Sequence, residues 1–196
     1  MATQAERREK TRASIIKAAW RIFGERGFAA ATMDDIATGA RVAKGAVYHH
    51  FATKEALFEA VFDQVSQELL VEVDRAARNE KDALNAMAKG TEAYFDACAR
   101  DTTGQIVLHD GPAVLGWERW REIDNSHFGG RFPVALARAM DDGLIARQPI
   151  EPLARLLLGA VTEVAIACSG RDVQKAGTDY ARAFQALLDA LRVRKA

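Results

Sequence analysis

Ala40-Arg41-Val42-Ala43-Lys44-Gly45-Ala46-Val47-Tyr48-His49-His50-Phe51 is the stretch that decides the fold of this chain. From Lys44 to about Phe51 it has the pattern of a short helix. Val47 and Phe51, four residues apart, mark an inward face, while Gly45, Ala46, Tyr48, His49 and His50 lie on or near the outward one. Just upstream, Thr32 with Asp35 three residues later has the form of a capping box. It opens a second short helix, Met33 to about Gly39, which turns Ile36 and Ala37 inward. Two short helices joined by a turn of three or four residues describe a helix-turn-helix. The second helix of such a unit has to enter a major groove about 12 Å wide. Gly45 and Ala46 are small enough to let its backbone come close to DNA. Lys44 and Lys54 stand where phosphates would run, and Thr32 marks a helix N-terminus whose N–H groups suit a phosphate.

The neighbouring sequence extends this unit. Ile15, Ile16, Ala19, Ile22 and Phe23 share one helical face, with Gly27 expected as a left-handed stop. Arg7, Arg8, Lys10 and Arg12 precede them as a basic arm. Thr53 is expected to cap a longer helix whose face carries Leu57, Phe58, Val61, Phe62, Val65 and Leu69. Further on, Asp82 to Arg100 is expected as one helix, followed by a less regular region broken by Gly104, Gly111, Pro112, Gly129, Gly130 and Pro133. Short helices are expected near 117–123 and 132–144. Two long helices, about Glu151 to Cys168 and Asp172 to Val193, should close the chain, separated by Ser169-Gly170. Alternating β-branched runs are absent, so the class is all-α.

The chain has 196 residues, 49% hydrophobic and 28% charged, which is the composition of a globular protein. Its 27 basic and 27 acidic residues cancel to a net charge of zero, which on its face argues against a nucleic-acid partner. The distribution says otherwise. Residues 1–55 carry 10 Lys and Arg against 6 Asp and Glu, a balance of +4, and residues 56–196 carry 17 against 21, a balance of −4. A division into a DNA-binding head, 1–55, and a larger helical body, 56–196, follows. Cys98 and Cys168 are 70 residues apart, in no CxxC pair, and fit a reducing cytoplasm. The polar N-terminus excludes a secretory signal peptide. The apolar stretch Leu153 to Cys168 contains Arg155 and Glu163 and reads as a buried helix, so no membrane partner is expected.

Residues 10–62 resemble the DNA-binding domain of TetR-family transcriptional regulators. The resemblance lies in the quoted stretch, in Ile36-Ala37 before it, in Thr53-Lys54-Glu55-Ala56-Leu57 after it, and upstream in Ala18-Ala19, Phe23, Arg26-Gly27-Phe28 and Thr32. It implies a three-helix DNA-binding domain followed by a helical ligand-binding and dimerisation domain. It also implies Tyr48 and Lys54 on phosphates and His49 near base edges. Thr32, Arg41, Lys44, Gly45, Ala46 and His50 complete the expected DNA-facing set. The bland alternatives are a packing role for Tyr48, two exposed histidines, and lysines on a solvated face. Three positions depart from the family pattern: Arg41 stands for a turn glycine, Ala43 for a capping Ser, and Ala46 for a phosphate-binding Thr or Ser.

The body carries two further expectations. Leu156, Leu157, Gly159, Ala160 and Val164 of one long helix, with Tyr180, Phe184, Leu187, Leu188 and Leu191 of the other, would form a four-helix homodimer interface. Two heads would then meet an inverted-repeat operator at recognition helices about 34 Å apart or a multiple of that. The alternative is that both helices complete a monomer core. Six of the 15 aromatics fall between Tyr94 and Phe132. Tyr94, Phe95, Cys98, His109, Trp117, Trp120, Phe128 and Phe132 are the candidate lining of a pocket for a small, largely apolar or aromatic effector. The competing reading makes them ordinary core, in a DNA-binding dimer without an effector. Enzyme motifs are lacking: there is no HExxH, no GxSxG, no P-loop and no GxGxxG. No cofactor and no metal is expected.

Overall fold

The computed structural model describes residues 3–168 and 173–193. The expected break at Ser169-Gly170 lies outside them, as do the side chains of Cys168, Val173 and Ala176. The class is all-α. Among the described residues there is no strand, and the one β-bridge pairs Ile145 with Arg192. No described helix is long and apolar enough to cross a membrane.

The chain forms two compact units, residues 1–65 with 101–120, and residues 66–100 with 121–196. In the first, α1 (Gln4–Ala30) begins on a reciprocal cap: Thr3 Oγ1 accepts from Glu6 N (3.2 Å) and Glu6 Oε2 accepts from Thr3 N (2.7 Å). The basic arm, Arg7, Arg8, Lys10 and Arg12, thus lies in the first turns of this helix. Gly27 does interrupt α1, yet not as a left-handed stop. Its φ of 75° comes with a ψ of 163°, after which helix resumes to Ala30. The interruption frees the Phe28 N–H, which donates to Asp110 Oδ2 at 2.7 Å.

Helices α2 (Met33–Ala40) and α3 (Lys44–His50) follow, then α4 (Lys54–Ala77), whose start accepts a cap bond from Ala56 N to Thr53 Oγ1 (3.1 Å). Ile15, Ala19, Ile22, Phe23, Ile36 and Val47 of the first three helices, with Leu57, Phe58 and Val61 of α4, are 0–2% exposed and lie in the core of the first unit. The Phe23, Phe28 and Phe58 rings meet within 5.7 Å of one another.

The region expected to be irregular is helical. It consists of α6 (Asp101–Gly104), a π-helical segment (Gln105–Asp110), α7 (Gly111–Leu115) and α8 (Trp117–Ser126). Gly111 is there because of crowding: a Cβ would stand 2.9 Å from both the Phe62 and the Trp120 ring. Trp120 is 1% exposed, and its Nε1–H donates to Val107 O at 2.9 Å.

The second unit holds the C-terminal half of α4, α5 (Ala83–Cys98), α9 (Arg131–Asp141), α10 (Ile150–Cys168) and α11 (Val173–Ala190). Asp82 both caps α5, accepting from Leu84 N and Asn85 N, and receives Arg192 from beyond α11 in two bonds of 3.0 Å. The Arg192 guanidinium beside it holds its carboxyl below the ordinary range.

Candidate functional site

The outward face of α3 carries exposed Lys44, Gly45, Tyr48 and His49, with Ala46 and His50 half-buried. Val47 and Phe51 are buried beneath, as their spacing requires. Gly45 is helical, and a Cβ there would meet nothing within 4 Å. Neither strain nor crowding inside the chain calls for a glycine there. Ala43 is the N-cap of α3 and supplies no side-chain bond. Arg41 is the left-handed cap of α2, at φ 58° and ψ 43°, where glycine is favoured. Its side chain is exposed on the turn between the two helices.

Several cations of this face are already engaged. Lys44 Nζ lies 2.8 Å from Asp34 of α2, which raises its pKa. Lys54 points two of its donors at the Phe28 and Ala31 carbonyls (2.9 and 3.0 Å), with its ammonium 4.2 Å over the Phe28 ring. Lys54 therefore ties α4 to the end of α1, and one of its three N–H groups remains. Thr32 caps α2, accepting from Asp35 N (3.1 Å) and donating to Asp35 Oδ2 (2.8 Å), which lowers the Asp35 pKa. The His49 and His50 rings stand edge to face at 5.5 Å. Desolvation, then His49, Arg8 and Arg12, lower the pKa of His50 and favour its neutral form. The Arg12 guanidinium lies 5.4 Å from the Phe51 ring, which brings the first turns of α1 beside the end of α3.

In the second unit a cavity of about 270 Å³ opens between α4, α5 and α9. Val73, Ala77, Met87, Thr91, Phe128, Phe132 and Val134 line it, with Asp74, Arg131 and Arg138. Beside it Tyr94 stacks on Phe128 at 4.0 Å. Tyr94 and Cys98 share a hydrogen bond, and burial pushes the thiol up to about 12. Asp124 is close enough to raise both. Its own carboxyl is pushed up to about 6, by burial against the pull of Arg121 and His127.

Residues 15–61 match the family described as bacterial regulatory proteins, tetR family, and residues 84–191 match the tetracyclin repressor-like C-terminal domain. The chain belongs to the TetR family. This TetR-family chain is 42% identical over 149 residues to the transcriptional regulator TtgR of Pseudomonas putida, covering 70% of each protein. It also matches the crystal structure of a TetR-family regulator from Pectobacterium atrosepticum along the full length of both chains, at 28% identity and a TM-score of 0.84. RolR in complex with resorcinol shares the fold, at 18% identity and a TM-score of 0.74, over 98% of this chain and 97% of that one. TetR-family regulators bind DNA and function as dimers.

The eight expected pocket residues are divided between the two compact units. Phe128 and Phe132 line the cavity, Tyr94 backs it, and Phe95 and Cys98 are buried further along α5. His109, Trp117 and Trp120 belong to the other compact unit, where Trp120 is core and Trp117 stacks on it at 5.0 Å. Sequence reasoning missed Thr91, Met87, Arg131 and Arg138 as lining. Their signal was weak, since each fits an ordinary amphipathic helix.

The expected interface residues also divide. Leu157, Phe184 and Leu188 are at most 6% exposed and serve the unit's own core. Leu156 (73% exposed), Tyr180 (41%) and Leu187 (46%) are bare, Gly159 and Ala160 are exposed, and Val164 and Leu191 are intermediate.

Proposed function

We propose that this TetR-family transcriptional regulator is a cytoplasmic homodimeric repressor, without enzymatic activity, that binds an inverted-repeat operator and leaves it when a small, largely apolar or aromatic effector enters the body. The observation that carries the DNA half is the face of α3, with its bare Gly45 between Lys44 and Tyr48. Thr32, Arg41, Lys44, Tyr48 and Lys54 would touch phosphates, while Gly45, Ala46, His49 and His50 would face the groove. The head, 1–55, would do the binding and the body, 56–196, the sensing and pairing. The bare apolar residues of α10 and α11 support pairing through those helices.

The cavity between α4, α5 and α9 supports the effector half. RolR, which shares the fold, holds resorcinol, a ligand of this general kind. Helix α4 runs 24 residues, about 36 Å, from the Lys54 clamp to Val73, Asp74 and Ala77 in the cavity wall. An effector that binds one position of α4 more tightly than the other would shift the heads. A second reading, a DNA-binding dimer with no effector, is favoured by Tyr94, Phe95 and Trp120 being core.

The test is operator binding by the purified full chain on DNA carrying an inverted repeat from upstream of its gene, titrated with salt. The logarithm of affinity should fall steeply and linearly with the logarithm of salt concentration. Weak, salt-insensitive binding to every duplex would overturn the DNA assignment. Operator affinity left unchanged by every ligand that measurably binds the body would leave the second reading standing.

A further inference from the structure

Phe28 is held at both its N–H and its carbonyl by side chains distant in sequence. Gly27 breaks α1 at φ 75° and ψ 163°, and the break takes away the carbonyl one turn back that an uninterrupted helix offers. Asp110, 82 positions further along the chain, accepts from the Phe28 N–H instead, at 2.7 Å. On the other side of the residue, Lys54 Nζ donates to the Phe28 and Ala31 carbonyls at 2.9 and 3.0 Å. The same ammonium lies 4.2 Å over the Phe28 ring. Residues 102–110 come close to this part of α1. A Cβ on Gly24 would stand 2.7 Å from Thr102 Cβ, and one on Gly27 would stand 3.3 Å from Gln105 Nε2 and 3.7 Å from Asp110 Oδ2.

The competing conformation is a straight helix. Gly27 takes helical angles as readily as left-handed ones. With Gly27 helical, the Phe28 N–H would pair with the Gly24 carbonyl, and the Phe28 carbonyl would point along the axis to the Thr32 N–H and be lost to Lys54. A part-buried N–H without a partner is costly, so the broken conformation depends on the Asp110 carboxylate. The break in turn sets Lys54. With two of its three donors committed to carbonyls, the third has a fixed direction. An unattached lysine gives up rotamer freedom when it meets a phosphate, and one already held at two points gives up less.

We infer that Asp110 is a positioning residue for DNA binding: by holding the Phe28 N–H it keeps the chain turned at Gly27, and the turned chain aims Lys54 at a backbone phosphate. This deepens the reading of Lys54 as a phosphate contact and rests on it. The sign of the effect sets Asp110 apart from an ordinary acid. Removing a carboxylate from a DNA-binding unit ordinarily raises affinity, because a charge that repels the phosphates is gone. Removing this one should lower it.

Binding of the full chain to a random-sequence duplex, where phosphate contacts supply essentially all the affinity, is measured against salt concentration. The proteins are the wild type, Asp110→Ala, Asp110→Asn, Lys54→Gln, and Asp110→Ala combined with Lys54→Gln, all well below their Tm. Lys54→Gln should lower the salt slope by about 1 per head. Asp110→Ala should do the same, with affinity at low salt falling roughly ten-fold per head. Asp110→Asn loses the charge but keeps an oxygen for the N–H, and should stay near the wild type. Once Lys54 is replaced, Asp110→Ala should no longer lower affinity. Asp110→Ala binding as well as Asp110→Asn, or better, overturns the inference, since the hydrogen bond then contributes nothing. An equal loss with and without Lys54 overturns it too, as the mark of a generally loosened unit. A slope that falls in Lys54→Gln but not in Asp110→Ala sinks the inference alone, while a slope unchanged in Lys54→Gln sinks the phosphate contact and the inference together. Gly27→Ala disfavours the same break from the side of α1 and should lower the slope likewise. A folded Gly27→Ala protein with the wild-type slope overturns the inference even where Asp110→Ala does not fold.

Discussion

Arg41 is the residue whose backbone and side chain pull in opposite directions. It holds a left-handed conformation that costs a non-glycine residue about 1 kcal/mol, and it presents a cation on the turn before α3. If that cation meets a phosphate, Arg41→Gly should raise stability by roughly 0.5–1 kcal/mol and lower operator affinity, reducing the salt slope by about 1 per head. Denaturant unfolding and salt-titrated operator binding read the two effects separately, and a stabilised variant with unchanged affinity would remove Arg41 from the DNA contacts. Asp124 offers a second test, through pH. Its folded pKa, about 6, lies above the ordinary carboxylate value, so the folded state holds that proton better than the unfolded one. Ionising the buried carboxyl then costs stability as pH rises from about 4 through 6, and the cost is absent below about 4. Relative to Asp124→Asn, the wild type should lose up to about 3 kcal/mol between pH 4 and pH 7. Parallel stability profiles for the two proteins over that range would show that Asp124 is not the group.

At the scale of the element, α3 is seven residues long and starts without a side-chain cap. Ala43→Ser should supply one and stabilise the head by about 1 kcal/mol, measured as a shift in the denaturation midpoint. An unchanged midpoint would mean that packing of Val47 and Phe51 already fixes the helix end. Elements were legible in the sequence where spacing alone decides them: α2, α3 and the start of α4 fall within a residue or two of expectation. The stretch from 101 to 116 was not. Gly104, Gly111 and Pro112 carry the marks of breaks, but Gly111 answers to the crowding of Phe62 and Trp120, and Pro112 sits at a helix start where its missing N–H is harmless. A π-helical segment has no signature in a 3.6-residue period. The site shows the same limit. The outward residues of α3 were readable from one helix, while the lining of the cavity is drawn from α4, α5 and α9, and each of its residues looks ordinary in its own helix.

For the whole molecule, TetR-family regulators function as dimers, and the pairing proposed above would use the bare residues of α10 and α11. Leu156→Glu combined with Leu187→Glu places charges on exposed positions, so each chain should fold while the dimer dissociates. Sedimentation equilibrium should report a monomer, and operator affinity should fall by roughly 100-fold or more as the two half-sites lose their linkage. A dimer that survives would move the interface elsewhere. A charge sum along the chain separates residues 1–55 from residues 56–196, but the compact units do not divide there. What no segment sum or period could reveal is that residues 101–120 join residues 1–65 in one compact unit. That connectivity has a consequence during synthesis. The Phe28 N–H waits for Asp110, and Phe62 for Gly111. With 55 residues between 65 and 120, translation at about 5–20 residues per second delays completion of the first unit by roughly 3–11 s. On the ribosome the nascent head leaves the exit tunnel with part of its core uncovered, and it can close only when more than half the chain has been made.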